Sequence, residues 1–173
     1  MEFLFETTYD RKALAAMAKA LRKTIRKKHN RKSCIFGSIV SVLGLLLVLK
    51  QAAEGELFSF RTIVTLLAVI IMIATLIWQD QVNGYFAGKR LLPGSERARS
   101  VFTEDGFRSE TEIGNTEWHY DKILGLAETN EYFAFLFSAN HAQVYDRKTL
   151  EGGSEEEFRA FIEAKTNKKI LKI

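Results

Sequence analysis

The chain has 173 residues, of which 47% are hydrophobic and 27% are charged, with a formal net charge of +4 and a single cysteine. One cysteine excludes an intramolecular disulfide framework. The basic balance by itself would suit a nucleic-acid partner, but the excess of Lys and Arg lies beside the most apolar part of the sequence, and no nucleic-acid-binding motif occurs. We therefore expect no nucleic-acid partner.

Residues 1–32 are predicted to form a strand and then a basic amphipathic helix. Phe3 and Phe5 alternate with their neighbours as in a strand. Two exposed phenylalanines are unfavourable in water, so we expect this strand to join the C-terminal sheet. After a helix cap predicted at Asp10, apolar residues recur at spacings of three and four. This helix could lie at a bilayer surface or pack on a folded domain, and its narrow, alanine-rich stripe favours packing on the domain or on a partner.

Two apolar runs, residues 33–49 and 62–78, contain no charged side chain and are joined by a short loop. Each is close to the length needed to cross a bilayer. The first run starts too far from Met1 for a signal peptide, and neither run has the polar face of a soluble helix. Residues 33–92 are therefore predicted to form a transmembrane hairpin followed by a cytoplasmic helical extension.

Small residues lie on one face of the first predicted span, because Gly37, Ser41 and Gly44 fall at positions i, i+4 and i+7. Such a face lets helix backbones approach closely. These three are candidate helix-packing residues, which could dock the second span of the same chain or a second copy. Neither run contains Asp, Glu, Lys, Arg or His, which argues against an ion path or proton relay built by this chain alone.

Basic residues are concentrated immediately before the first apolar run. The loop between the runs has no such excess, so the positive-inside rule predicts that both termini are cytoplasmic. Cations beside a span are also expected to contact anionic lipid head groups. The candidate lipid-contacting residues are Arg22, Lys23, Arg26, Lys27, Lys28, Arg31 and Lys32.

Residues 95–173 contain six short runs with strand character, separated by turn residues such as Glu104-Asp105-Gly106. Ser154 and Glu157 then form a capping-box pattern in front of an apolar helical stripe. The predicted fold class is α+β, with a transmembrane helical hairpin and a pleckstrin-homology-like antiparallel β-sheet or barrel closed by a C-terminal helix.

The densest group of functional side chains is Trp118-His119-Tyr120-Asp121. In a strand, Trp118 and Tyr120 share one face while His119 points to the other, so these residues are not expected to form one catalytic constellation. The three histidines are far apart in sequence, and no nucleophile elbow, phosphate-binding loop or metal-ligand motif is present. We expect no enzymatic activity, no cofactor and no metal site.

Four motifs of the C-terminal half follow one another along the chain. They are the turn segment 102–107, the segment from Trp118 to Ile123, the residues Glu128-Thr129 with Tyr132-Phe133, and the helix around Phe158. In these motifs the chain resembles the YcxB-like family of bacterial membrane proteins, which combine two transmembrane helices with a pleckstrin-homology-like C-terminal domain. The resemblance implies a multi-pass protein of the bacterial plasma membrane. It implies no enzymatic activity, because families of this type have none established.

The expected function is that of a non-catalytic, membrane-anchored interaction module. Its expected partners are a membrane with anionic lipid and either a protein or a second copy of the chain. The alternative is an accessory or protective membrane component, of a transporter-associated or immunity type, that acts through the hairpin.

Overall fold

The computed structural model describes residues 2–173, and the chain divides into two units. The first unit contains the chain up to Lys27 and again from Asp80 onward, and the second is the segment Lys28–Gln79. The folded domain is therefore assembled from both sides of the apolar segment in sequence.

The structure contains five α-helices and eight strands within the described residues. In chain order they are β1 (Phe3–Thr8), α1 (Arg11–Lys23), α2 (Lys27–Ala53), α3 (Phe60–Ile77), α4 (Gln79–Gly88), β2 (Arg97–Phe102), β3 (Phe107–Thr111), β4 (Gly114–Trp118), β5 (Gly125–Glu128), β6 (Tyr132–Leu136), β7 (Ala142–Asp146), α5 (Glu155–Thr166) and β8 (Ile170–Lys172).

The strands form two four-stranded sheets, with the orders β1-β2-β3-β4 (sheet A) and β7-β6-β5-β8 (sheet B). All pairs are antiparallel except β5 with β8, which is parallel. The predicted mixture of helices and antiparallel sheet is confirmed, but the strands do not close into a barrel. Closure would require backbone hydrogen bonds between the adjoining strands β1 and β7. At this position the Asp146 amide donates to the Thr7 side-chain hydroxyl at 3.1 Å and not to a backbone carbonyl. A side-chain contact of this kind cannot continue a backbone ladder.

The N-terminal strand belongs to sheet A, as its two phenylalanines predicted. β1 pairs with β2, and Phe3 and Phe5 are fully buried. They lie in an aromatic core between the two sheets, which α5 closes with Phe158 and Ile162. The capping box of α5 is present as predicted, because Ser154 accepts from the Glu157 amide and the Glu157 side chain accepts from the Ser154 amide.

α1 packs on the opposite face of sheet B. Ala13, Ala20 and Leu21 are buried against Ala134 and Val144 of β6 and β7. Of the two options that the sequence left open for this helix, the structure shows packing on the folded domain. The helix ends at Lys23, where the Thr24 hydroxyl donates to the Ala20 carbonyl.

The second unit contains two helices that are long and apolar enough to cross a membrane, Lys27–Ala53 and Phe60–Ile77. Only 11% of the most apolar window of each helix is buried, whereas a core helix of a soluble protein would be mostly buried. A Cβ atom added at Gly44 of α2 would lie 2.4 Å from Cγ2 of Val69 in α3. The two helices therefore approach each other closely at this glycine.

Candidate functional site

The basic segment from Arg22 to Lys32, which spans the end of α1 and the first turns of α2, divides into cations that bind other parts of the protein and cations without a salt-bridge partner among the described residues. Arg22 forms a two-pronged ion pair, in which its Nε and Nη2 donate to the two Asp80 carboxylate oxygens at 2.7 and 2.6 Å. Arg26 donates to the Ala139 carbonyl and to the Asn140 side chain in the loop between β6 and β7. Both arginines were predicted to contact lipid, but their guanidinium groups bind protein acceptors.

The other predicted lipid-contacting cations are exposed, and no salt bridge to them occurs within residues 2–173. They are Lys23, Lys27, Lys28, Arg31 and Lys32. Unpaired ammonium and guanidinium groups at the start of an apolar helix can bind anionic head groups without losing any internal partner.

α4 docks on α1 through small residues. A Cβ atom added at Gly84 would lie 2.7 Å from the backbone nitrogen of Ala15, and one added at Gly88 would lie 3.2 Å from a methyl group of Leu14. The ion pair of Asp80 with Arg22 lies on the same face, since positions 80, 84 and 88 are one helical turn apart. The sequence analysis did not predict the contact between α4 and α1, although two glycines four residues apart, Gly84 and Gly88, are typical of closely packed helices.

A cleft of about 540 Å³ opens at one corner of the sheet sandwich. Most of the residues that line it are small or apolar, and among the described residues no Asp, Glu, Lys or Arg contributes to its wall. The side chains that shape the cleft include Leu14, Met17, Ser109, Thr111, Thr116 and Gln143. The other end of the sandwich is filled by phenylalanines, whereas hydroxyl-bearing side chains leave space here.

His141 lies at the edge of this cleft and is the one titratable imidazole among the described residues that line it. Partial burial lowers the pKa of the His141 imidazole, which favours its neutral form at neutral pH. A cleft of this volume without charge suits a neutral ligand, or an uncharged segment of polypeptide, that combines apolar groups with hydrogen-bonding groups.

The segment Trp118 to Asp121 does not continue as a strand, contrary to the alternation assumed from the sequence, because β4 ends at Trp118 and a single 3-10 turn spans Tyr120–Lys122. The Trp118 ring stacks on Phe137 at a centroid distance of 4.4 Å, whereas His119 is exposed. The Tyr120 hydroxyl lies 2.7 Å from the Thr103 carbonyl, and burial raises its pKa. The Asp121 carboxylate accepts from Lys122. The structure brings none of these groups together around a common point.

An ion network joins α5 to sheet B. Arg159 donates to the buried carboxylate of Glu128 at 2.8 Å and to Glu155 at 3.1 Å. Arg147 also donates to Glu155, and the hydrogen bond to Glu128 raises the pKa of Arg159. Both guanidinium groups lie within 5.5 Å of the Phe133 ring centroid. With each charge paired in this way, the network fixes the position of the terminal helix.

No group of three or more His, Cys, Asp or Glu side chains that could hold a metal ion is found among residues 2–173.

The molecule is thus an α+β domain with two candidate membrane-spanning helices inserted near its N-terminus. The family model described as YcxB-like protein matches residues 102–162, from the end of β2 into α5. This match confirms the resemblance that the sequence motifs indicated for that part of the chain. No curated protein matches the chain.

Proposed function

We propose that this protein is a non-catalytic interaction module, anchored in the bacterial plasma membrane, that presents a pleckstrin-homology-like domain at the cytoplasmic face. One observation carries the proposal. β1 and α1 precede the hairpin in sequence, β2 to β8 follow it, and all of them build a single folded unit. A unit assembled in this way lies on one side of a membrane, so a hairpin of two spans fits it and a single span does not.

The pleckstrin-homology-like assignment is supported by the arrangement of layers. Sheets A and B enclose an aromatic core, and a C-terminal helix closes one end of it. The YcxB-like match covers most of these elements. Folds of this type commonly bind lipid head groups or peptides, and that analogy concerns the fold alone.

The cytoplasmic orientation of both termini is supported by the cations at the start of α2 that have no salt-bridge partner among the described residues. They adjoin the first apolar run, whereas at the other end of α2 the single cation of the last turn, Lys50, is in an ion pair with Glu54. The test uses single cysteines at Glu56 and Lys148 in a Cys34→Ser background. A thiol reagent that does not cross membranes should label intact cells at residue 56 only. Labelling at residue 148 alone would reverse the orientation, and labelling of both positions would contradict the hairpin.

The uncharged cleft is the surface that we propose for partner binding. A photo-crosslinking amino acid at Asn115, which lines the cleft, should give a discrete crosslinked product in cells. The same amino acid at the exposed Lys148, which lies outside the cleft, is the matched control. Equal products from both positions, or none from Asn115, would contradict the assignment of the cleft.

Replacing the hairpin with an unrelated one separates this proposal from the alternative function. An interaction module should keep the crosslink from Asn115 after the exchange. An accessory or protective component that acts through its spans should lose it, because the contacts that hold its partner in the bilayer are gone.

A further inference from the structure

α4 has two opposite faces with different partners. The face with Asp80, Gly84 and Gly88 docks on α1, as described above. The other face carries Val82, Tyr85 and Phe86, which are 38%, 44% and 53% exposed. These three positions follow the i, i+3, i+4 spacing of one helical stripe. The stripe therefore remains exposed because the glycine face is the one turned toward the protein.

Cations surround this stripe. Lys89 continues it one turn further, and its ammonium group lies 4.8 Å from the centroid of the Tyr85 ring. The guanidinium carbon of Arg11 lies 5.9 Å from the same centroid. Arg90 is exposed next to Lys89. Partly buried aromatic and aliphatic side chains beside exposed cations are the composition of helices that lie in a bilayer interface.

The chain itself brings α4 to the bilayer surface. α3 is an 18-residue apolar helix that ends at Ile77, and α4 begins at Gln79. If α3 crosses the membrane, only Trp78 separates its last residue from the first residue of α4. At about 1.5 Å per residue, the whole of α4 is about 15 Å long, so its stripe starts within reach of the head groups.

The size of the stripe favours lipid over a protein partner. A fully buried aromatic side chain contributes about 150–250 Å². Three side chains at roughly half exposure therefore present far less than the ~800 Å² per partner that a stable protein interface requires. A bilayer interface needs no such minimum, because the spans already hold the helix beside it.

We propose that α4 is an interfacial helix that inserts Val82, Tyr85 and Phe86 at the boundary between head groups and acyl chains, with Arg11, Lys89 and Arg90 contacting anionic head groups. This inference rests on the membrane location proposed above. It assigns to α4 the surface role that the sequence had left open for α1.

The test is a measurement of depth on the full-length protein in vesicles of phosphatidylethanolamine and phosphatidylglycerol. Single nitroxide labels are placed at Val82, Phe86 and Asn83 in a Cys34→Ser background, with Leu67 of α3 as the reference inside the span. Accessibility to oxygen, which partitions into lipid, is compared with accessibility to a water-soluble nickel chelate. We expect the ratio of oxygen to chelate accessibility to be severalfold higher at residues 82 and 86 than at the neighbouring residue 83.

Each other outcome overturns the inference in a recognisable way. Equally low ratios at residues 82, 83 and 86, with Leu67 in lipid, would place α4 in water and leave the membrane anchor intact, and equally high ratios would bury the whole helix rather than one stripe. Labels at residues 82 and 86 that neither reagent reaches would show that protein covers the stripe. Access of the chelate to Leu67 would refute the membrane location, and with it the proposed function.

The contribution of the cations is tested separately by the double substitution Lys89→Gln and Arg90→Gln. In vesicles with phosphatidylglycerol, the variant should show a lower ratio at residue 86 than the parent protein. In vesicles of phosphatidylcholine alone, the two proteins should not differ, because no anionic head group is present. An equal decrease of the accessibility ratio at residue 86 in both lipids would exclude head-group contact by these cations.

Discussion

Phe3 lies directly opposite Phe102 in the antiparallel pairing of β1 with β2, although both apolar helices separate the two residues in sequence. Sheet A is therefore incomplete until the chain has passed through the hairpin and returned. The two strands are far apart in sequence, so we expect their pairing to form late in folding. It can form only if the chain before the hairpin and the chain after it lie on the same side of the membrane.

The first prediction concerns Phe5, which is fully buried. Its ring contacts Phe102, Phe133, Tyr145 and Phe158 at centroid distances of 4.8–6.1 Å. Phe5→Ala should lower the free energy of unfolding of the domain by about 3–5 kcal/mol, because it removes buried aromatic surface and leaves a cavity. Denaturant unfolding of the full-length protein in mild detergent, followed by near-UV circular dichroism, measures this change.

Leu4→Ala is the control for Phe5→Ala, since Leu4 lies on the same strand but is only half-buried. Leu4→Ala should lower the free energy of unfolding clearly less than Phe5→Ala does. A related expectation is that a fragment of residues 95–173, which lacks β1 and α1, is much less stable than the complete domain. Equal stability of this fragment would show that β1 is dispensable.

The second prediction compares the two glycines of α4. An added methyl group at Gly84 meets the backbone of Ala15, which cannot move without displacing α1, whereas at Gly88 it meets the flexible side chain of Leu14. Gly84→Ala should destabilise the domain by about 1–3 kcal/mol despite the better helix propensity of alanine. Gly88→Ala should be close to neutral. The same unfolding measurement tests both, and equal effects would contradict the close approach at Gly84.

Several elements could be predicted because their cause is local. The alternation of Phe3 and Phe5, the capping box at Ser154 and the uncharged runs within α2 and α3 each follow from neighbouring residues. The surface against which an element packs does not follow from its neighbouring residues. The stripe of α1 would suit lipid as well as protein, and only the register of Ala13 and Ala20 against sheet B decides between them.

The candidate site was less predictable for the same reason. Arg22 and Arg26 look like free juxtamembrane cations in the sequence, but their acceptors lie in α4 and in the loop after β6. The cleft depends on side chains of separate strands and of α1 meeting at one corner. The parallel pairing of β8 with β5 likewise joins segments that no local pattern connects.

The third prediction concerns the small-residue face of α2. A side chain at Gly44 must displace the stiff β-branched Val69, whereas at Gly37 it meets the flexible end of Leu76. Gly44→Leu should therefore disturb the packing of α2 against α3 more than Gly37→Leu, while both variants still insert. Disulfide trapping between cysteines placed in the two helices measures this packing.

Chemical crosslinking of the same membranes supplies the second readout for Gly44→Leu. If the glycine face serves only the hairpin, the oligomeric state and the crosslink from Asn115 should be unchanged. Loss of an oligomer with intact trapping between α2 and α3 would instead assign this face to contact between copies.

The last prediction concerns pH and the ion network of α5. The hydrogen bond from Arg147 lowers the pKa of Glu155, assisted by the charges of Arg147 and Arg159 and opposed by partial burial. A carboxylate whose pKa is lower in the folded state stabilises the fold above its unfolded pKa, and this contribution is lost as the pH falls below it. The domain should therefore lose stability as the pH falls through about 4.5, the pH at which half of the glutamate side chains are protonated in an unfolded chain.

Glu155→Gln should lose less stability than the parent protein between about pH 6 and about pH 3.5, because the substituted side chain no longer titrates. The other carboxylates whose pKa is lowered, such as Glu163, remain in both proteins, so the difference in pH dependence isolates Glu155. Glu156→Gln is the matched control, since Glu156 is largely exposed and contacts Arg159 only at 3.3 Å. Denaturant midpoints measured across this range should show a flatter pH profile for Glu155→Gln and a nearly parental profile for Glu156→Gln. Parental profiles for both variants would mean that the network does not stabilise the position of α5 through the charge of Glu155.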